Sequence, residues 1–170
     1  MSLVERAQER LGELFVMGFE GKSLGDETSA FVAQAGIGGV ILFAHNYDSP
    51  RQLTELASQV QACRAKDRPP LWVSVDQEGG KVQRFKQGFT IIPSASRIGA
   101  TQSPKLAFEI SEAIAKELRA CGINLNFAPV ADINTNTSNP VIGKLDRSFG
   151  TTEDLVTKMV SSFVRGHVVQ

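Results

Sequence analysis

The stretch GGVILFAHNYDSPRQLTELASQVQAC, Gly38 to Cys63, sets one strand before one helix and decides the class of the fold. Gly38 to Ala44 is a short unbroken apolar run with β-branched residues, the pattern of a strand buried on both faces. Ser49 can cap the following helix and Pro50 can occupy its first turn. Leu53, Leu56, Ala57, Val60 and Cys63 then recur at three- and four-residue spacing and form its apolar stripe. A strand apolar on both faces has to be covered by helices, which predicts an α/β layer structure.

The same unit recurs downstream. Pro69-Pro70 ends a connection, and LWVSVD, Leu71 to Asp76, is a second buried strand followed by a polar loop from Gln77 onward. Ser103-Pro104 opens a helix with Leu106, Ile110, Ala113, Ile114, Leu118 and Cys121 as its stripe and Gly122 as its stop. INLNFAPV, Ile123 to Val130, is the third strand. A polar loop, Ala131 to Gly150, leads to a last helix with Thr151 as cap and Leu155, Val156, Met159, Val160, Phe163 and Val164 facing inward. Upstream, Val4, Ala7, Leu11, Leu14 and Phe15 predict an N-terminal helix with one core-facing stripe, separated from the first strand by a Gly-rich passage.

Strand and helix in alternation predict right-handed βαβ units on a parallel sheet, with ligands at the carboxyl ends of the strands. A complete (β/α)8 barrel needs ~250 residues. The 170 residues here, with three recognisable strands, suit a small open sheet or part of a larger one.

Composition excludes more than it proposes. Eighteen Lys+Arg balance 18 Asp+Glu, so there is no basic footprint for nucleic acid or anionic lipid. The longest strongly apolar run, Gly36 to Ala44, is about half of the ~20 residues that span a bilayer. Glu5, Arg6, Glu9 and Arg10 stand where a secretory signal keeps an apolar core, which predicts a cytoplasmic chain. Cys63 and Cys121 have no Cys or His at zinc spacing and read as reduced packing residues. His45 follows a strand and is placed to face a ligand, whereas His167 reads as a surface or helix C-terminal residue.

Two loops carry the candidate chemistry. In VDQEGGKVQRF, Val75 to Phe85, Asp76 and Glu78 lie two apart at a strand end, ~6–7 Å between Cα atoms if both stay extended. That spacing suits a carboxylate pair such as retaining glycosidases use, or oxygen ligands of a divalent metal with Asp132 as a third. A plainer alternative has Asp76 capping the loop and Glu78 paired with Lys81 or Arg84. No phosphate-loop sequence accompanies Gly79-Gly80, which read as turn residues. In NTNTSNPVIGKLDRSFG, Asn134 to Gly150, Arg147 offers a five-donor fork to a hydroxylated or carboxylate ligand, or a surface salt bridge. Trp72 reads as a strand core residue, and Phe85 and Phe149 lie beside the candidate residues.

GGVILFAHNYDSPRQL, VDQEGGKVQRF, NFAPVADIN and NPVIGKLDRSFG, in this order and over nearly the whole chain, resemble the N-terminal catalytic domain of family 3 glycoside hydrolases. The bacterial β-N-acetylglucosaminidase branch, that of peptidoglycan recycling, is the most similar, and QEGG favours N-acetylhexosamine over glucose. The resemblance implies the N-terminal part of a (β/α)8 TIM-type barrel, incomplete in this chain, with residues 1–170 forming a single partial domain. It implies a glycosidase that removes terminal non-reducing β-N-acetylglucosamine by a retaining mechanism, with no cofactor and no metal. Asp76, Arg84 and Arg147 are then substrate-binding residues around the first sugar ring, and Glu78 is structural.

The family's catalytic Asp nucleophile and its His-Asp acid/base belong to later segments, so catalytic residues are expected to lie outside this chain. The alternative is a non-catalytic sugar-binding or regulatory remnant. The expected partners are an N-acetylglucosamine-containing saccharide and, through self-association or pairing with the remaining barrel portion, a covering for the open sheet. Nucleic acid and membrane are not expected partners.

Overall fold

A computed structural model describes residues 2–168. The chain folds as two compact units, residues 2–75 with 120–125 and residues 76–119 with 126–168.

The first unit begins with α1 (Leu3–Glu9), capped reciprocally: the Ser2 hydroxyl accepts from the Glu5 N–H at 3.2 Å and the Glu5 carboxylate accepts from the Ser2 N–H at 2.6 Å. Periodicity predicts a helix continuing to Phe15, yet α1 ends early. Gly12 lies against the main chain of Ala35 and Gly36, where any Cβ would collide, and the chain tightens into a 3-10 turn over Leu11–Leu14. The expected core stripe is therefore wrong: Val4, Leu11, Leu14 and Phe15 are exposed, Leu14 to 80%.

A short strand, β1 (Val16–Met17), and a helix, α2 (Asp26–Ala35), occupy the passage that sequence periodicity left unassigned. Helix α2 starts on Asp26 and Glu27, which complement its amino end, and stops at Gly36 in the left-handed region, φ 61°. Strand β2 (Gly39–Leu42) follows as expected, then α3 (Pro50–Ala62), whose Gln52 N–H donates to the Ser49 hydroxyl at 3.3 Å. Strand β3 (Trp72–Val75) pairs with β2 in parallel, Val40 opposite Val73, and β1 pairs with β2 in parallel on the other side.

Val40, Leu42, Val73 and Val75 are fully buried. Trp72, expected in the core, is instead 50% exposed at the start of β3. Asn124 extends the ladder with its side chain: Oδ1 accepts from the Val73 N–H at 2.7 Å and Nδ2 donates to the Leu71 carbonyl at 2.9 Å.

The second unit opens with an antiparallel pair, β4 (Gln77–Gly79) and β5 (Val82–Gln83), turning through Gly79 and Gly80 at φ 99° and 56°. Helices α4 (Ala95–Ala100) and α5 (Pro104–Ala120) follow. Then comes β6 (Leu125–Asn126), much shorter than the expected Ile123–Val130 strand, which gives the four-stranded sheet its order β1-β2-β3-β6. The last helix, α6 (Glu153–Val168), starts two residues after Thr151.

Phe85, Phe149, Phe163, Met159, Ile98 and Ile114 fill this unit's core, each large side chain contributing ~1.5–3 kcal/mol by leaving water. Gly166 lies against the Phe108 carbonyl and the Ser111 side chain, so the missing side chain lets α5 and α6 approach closely.

Candidate functional site

Two carboxylate–guanidinium pairs are built within the second unit. Asp76 is the first residue beyond β3, and Arg84 Nη2 donates to its Oδ2 at 3.1 Å. Two buried glutamines hold the intervening loop in place. Gln77 Oε1 accepts from the Arg84 and Phe85 N–H groups at 2.9 and 3.1 Å, and its Nε2 donates to the Phe85 carbonyl at 2.8 Å. Gln83 Oε1 accepts from the Ile92 N–H at 3.0 Å while its Nε2 donates to the carbonyls of Phe85 and Thr90 at 3.0 and 2.8 Å. With every side-chain amide group engaged, the main chain at Arg84 has one position, and the guanidinium is aimed at Asp76.

The second pair is tighter. Arg147 Nε donates to Glu78 Oε2 at 2.9 Å and Nη2 to Oε1 at 2.7 Å, a parallel fork on a carboxylate whose residue is only 7% exposed. Asn139 Oδ1 shapes the loop that delivers Arg147 by accepting from the Val141 and Ile142 N–H groups, each at 2.9 Å. Asp146 then takes the left-handed conformation, φ 58°, just before the arginine. Ser148 anchors the far side by donating to the Asp132 and Gly150 carbonyls at 2.6 and 2.9 Å.

The bond to Glu78 raises the Arg147 pKa above its ordinary value against the opposing effect of burial. A third Arg147 N–H, on Nη1, donates to the Val141 carbonyl at 3.3 Å. Of the five guanidinium donors, three are thus engaged and two make no bond among the described residues.

The sequence profile of the glycosyl hydrolase family 3 N-terminal domain matches residues 6–169. The chain belongs to glycosyl hydrolase family 3. A β-hexosaminidase of Alkalilimnicola ehrlichii is 40% identical over 162 residues, covering 92% of this chain and 44% of the relative. The family 3 β-N-acetylglucosaminidase structure from Paenibacillus sp. str. FPU-7 superposes with a TM-score of 0.90 at 39% identity, covering 99% of this chain and 31% of that one. NagZ from Neisseria gonorrhoeae, solved in complex with N-trifluoroacetyl-D-glucosamine, gives a TM-score of 0.82 at 32% identity, covering 90% of this chain and 45% of that one. The chain therefore spans less than half the length of these relatives. Its α/β fold, a parallel sheet with helices, is the first portion of the family 3 TIM-type barrel.

Within this family 3 chain, Asp76, Arg84 and Arg147 lie in one unit, Arg84 bonded to Asp76 and Arg147 to Glu78. The partner assignments change. Glu78 is held by Arg147 and is buried, not a surface partner of Lys81 or Arg84, and Lys81 Nζ donates to the Lys144 carbonyl at 2.7 Å. The Asp76 carboxylate bonds Arg84 rather than the loop main chain that it was alternatively expected to cap.

The metal alternative through Asp76, Glu78 and Asp132 is not assembled: among the described residues no group of three His, Cys, Asp or Glu side chains could hold an ion. Phe85 and Phe149 are core residues and present no face to a ligand. His45 stacks on Phe43 with ring centroids 5.7 Å apart and lies 3.2 Å from the Phe19 carbonyl, so its contacts are with its own unit. His167, expected at the surface or at a helix C-terminus, stands in the last turn of α6 and is half-buried there, with Ser111 and Asn126 both bonding its ring. Gln77, Gln83 and Asn126 were not legible as site residues; the only signal was the recurrence of amide side chains, Gln77 and Gln83 flanking the Gly79-Gly80 turn and Asn124 and Asn126 two apart.

Proposed function

We propose that Asp76, Arg84 and Arg147 hold the first sugar ring of a retaining β-N-acetylhexosaminidase that removes terminal non-reducing β-N-acetylglucosamine. The carrying observation is the pairing itself: two guanidiniums braced on two carboxylates two residues apart, with Arg147 keeping two N–H donors uncommitted. A carboxylate offers about four acceptor positions. After Arg84 has taken one, Asp76 can still accept from adjacent sugar hydroxyls.

Glu78 fixes Arg147 and does not touch sugar. The nucleophile and the acid/base belong to further segments of the protein, and residues 1–170 form one partial domain of that barrel. Retaining chemistry forms a covalent glycosyl intermediate that water then cleaves. This chain's share is to bind and orient the ring.

The names of the similar proteins, β-hexosaminidase and β-N-acetylglucosaminidase, support this substrate class. The reading extends to muropeptide-like saccharides in peptidoglycan recycling, and to a cytoplasmic setting, which suits Cys63 and Cys121, neither of them in a disulfide. No described helix is long and apolar enough to cross a membrane. The remaining barrel portion, or a second copy, is the protein partner.

The test is saturation binding of N-acetylglucosamine to the chain and to Asp76→Ala, beside hydrolysis of a chromogenic β-N-acetylglucosaminide. Saturable binding lost in Asp76→Ala, without hydrolysis, is the expected result. Hydrolysis by the pure chain would return Asp76 and Glu78 to the role of catalytic pair, and binding that survives Asp76→Ala would remove Asp76 from the site.

A further inference from the structure

The sugar-holding pairs make no use of a hydrogen-bonded chain that runs behind them through the second unit. Ser111 on α5 donates its hydroxyl proton to the Phe163 carbonyl, and its oxygen lies 2.5 Å from His167 Nδ1. His167 Nε2 lies 2.9 Å from Asn126 Nδ2. Asn126 Oδ1 accepts from the Gln77 N–H at 3.0 Å, and Nδ2 donates to the Gln77 carbonyl at 3.3 Å. The imidazole also stacks on Phe163, centroids 5.1 Å apart and planes 20° apart.

The directions of these bonds are mutually determined. The Gln77 N–H requires an acceptor, which turns Asn126 Oδ1 toward it and leaves Nδ2, a donor, toward the ring. His167 Nε2 must then carry a lone pair. Because the Ser111 proton is committed to Phe163, Ser111 Oγ must accept, so Nδ1 carries the hydrogen. The ring is neutral and in its Nδ1–H form; an imidazolium would set an N–H against the Asn126 N–H. The groups that face it, Ser111 from α5, Asn126 from β6 and Phe163 from α6, bear no charge, and burial disfavours the cation by more than the Phe163 carbonyl favours it.

We propose that His167 is a positioning residue: as the Nδ1–H tautomer it fixes Asn126, and through it both main-chain groups of Gln77, the residue between Asp76 and Glu78. Gln77 is a junction, since its side chain also holds the Arg84 N–H. One imidazole thereby sets the origin of both carboxylates and of Arg84. The consequence for ligand affinity rests on the sugar-binding reading above; the positioning itself does not.

The experiment compares the chain with His167→Leu and with His167→Gln, whose amide can donate to Ser111 and accept from Asn126. Ring nitrogen NMR of the wild type reads the tautomer. Hydrogen exchange at the Gln77 amide, referred to the Ile92 amide, and titration with N-acetylglucosamine read the effect. The expected result is an Nδ1–H ring, Gln77 exchange and sugar dissociation constant each raised about three- to tenfold in His167→Leu, and recovery in His167→Gln.

An Nε2–H ring, or a His167→Leu chain with unchanged Gln77 exchange, overturns the proposal. Should the wild type bind no N-acetylglucosamine, the sugar reading fails while tautomer and Gln77 exchange still decide the positioning role. Should His167→Leu not fold, the wild-type tautomer and the Gln77 amide in His167→Gln decide it.

Discussion

Arg147 reaches Glu78 across 69 residues of sequence and grips it with two parallel bonds of 2.9 and 2.7 Å. The pair ties the loop of residues 134–150 to the segment that carries Asp76, so under the proposed reading it acts on ligand geometry and on stability at once. Lysine cannot reproduce such a fork.

Glu78→Gln is expected to destabilise the chain by about 3–5 kcal/mol, because it leaves the Arg147 charge facing a group that has lost its own. Arg147→Lys should cost less in stability but weaken N-acetylglucosamine about tenfold or more, since one ammonium replaces two oriented bonds. Urea unfolding and sugar titration on the same samples separate the two effects.

Asp76→Asn keeps the size of the side chain and one acceptor oxygen. It should reduce sugar affinity by about 10–100-fold, the worth of hydrogen bonds to a charged group, while shifting the thermal midpoint little, because Asp76 is only half-buried. Isothermal titration and a melting curve are the measurements. An Asn variant that binds as the wild type does would show that Asp76 makes no charge-assisted contact with sugar.

His167 is held neutral by burial, which lowers its pKa below the ordinary 6.5. The unfolded chain therefore binds a proton more readily than the folded one, and the resulting stability is present above 6.5 and lost as pH falls through the lower folded value. Unfolding midpoints measured from about pH 7 to about pH 5 should decline more steeply in the wild type than in His167→Gln.

Glu13 shows the same sign lower on the scale. Hydrogen bonds from Arg10 and Arg68 hold its carboxyl down, from 4.5 to about 2. The stability they confer is complete above 4.5 and disappears as pH falls toward about 2. Glu13→Gln should flatten the acid limb of the stability profile in that window, as read by urea titrations at stepped pH.

Periodicity was a sound guide where an element is long and buried on one stripe. Helices α3, α5 and α6 and strands β2 and β3 follow from Leu53, Leu56 and Val60, from Ile114 and Leu118, from Met159 and Phe163, and from the apolar runs at Val40 and Val73. It failed where a backbone contact overrides the pattern. Gly12 ends α1 because of Ala35 and Gly36, which no local window contains, and so Leu11 and Leu14 never reach a core. Helix α2 was hidden because its ten residues bury only Val32 and its apolar face is thin.

Of the site, the charged residues were visible because strand ends in α/β folds collect them, and the resemblance carried Asp76, Arg84 and Arg147 together. Which guanidinium met which carboxylate was not visible. Arg147 chooses Glu78 by tertiary geometry, and Gln77, Gln83 and Asn126 act through amide bonds to main chain that carry no periodic trace.

Gly99 in α4 lies against the main chain of Phe149, close enough that any Cβ would overlap the Phe149 carbonyl. Phe149 is two residues past Arg147, so this hydrogen-sized gap works as a depth stop for the arginine's loop. Gly99→Ala would raise the stop by one methyl group, costing about 1–3 kcal/mol through overpacking. A clearance this small makes position 99 a calibration screw for the loop: the reach of the Arg147 guanidinium can be tuned from a helix that makes none of its bonds.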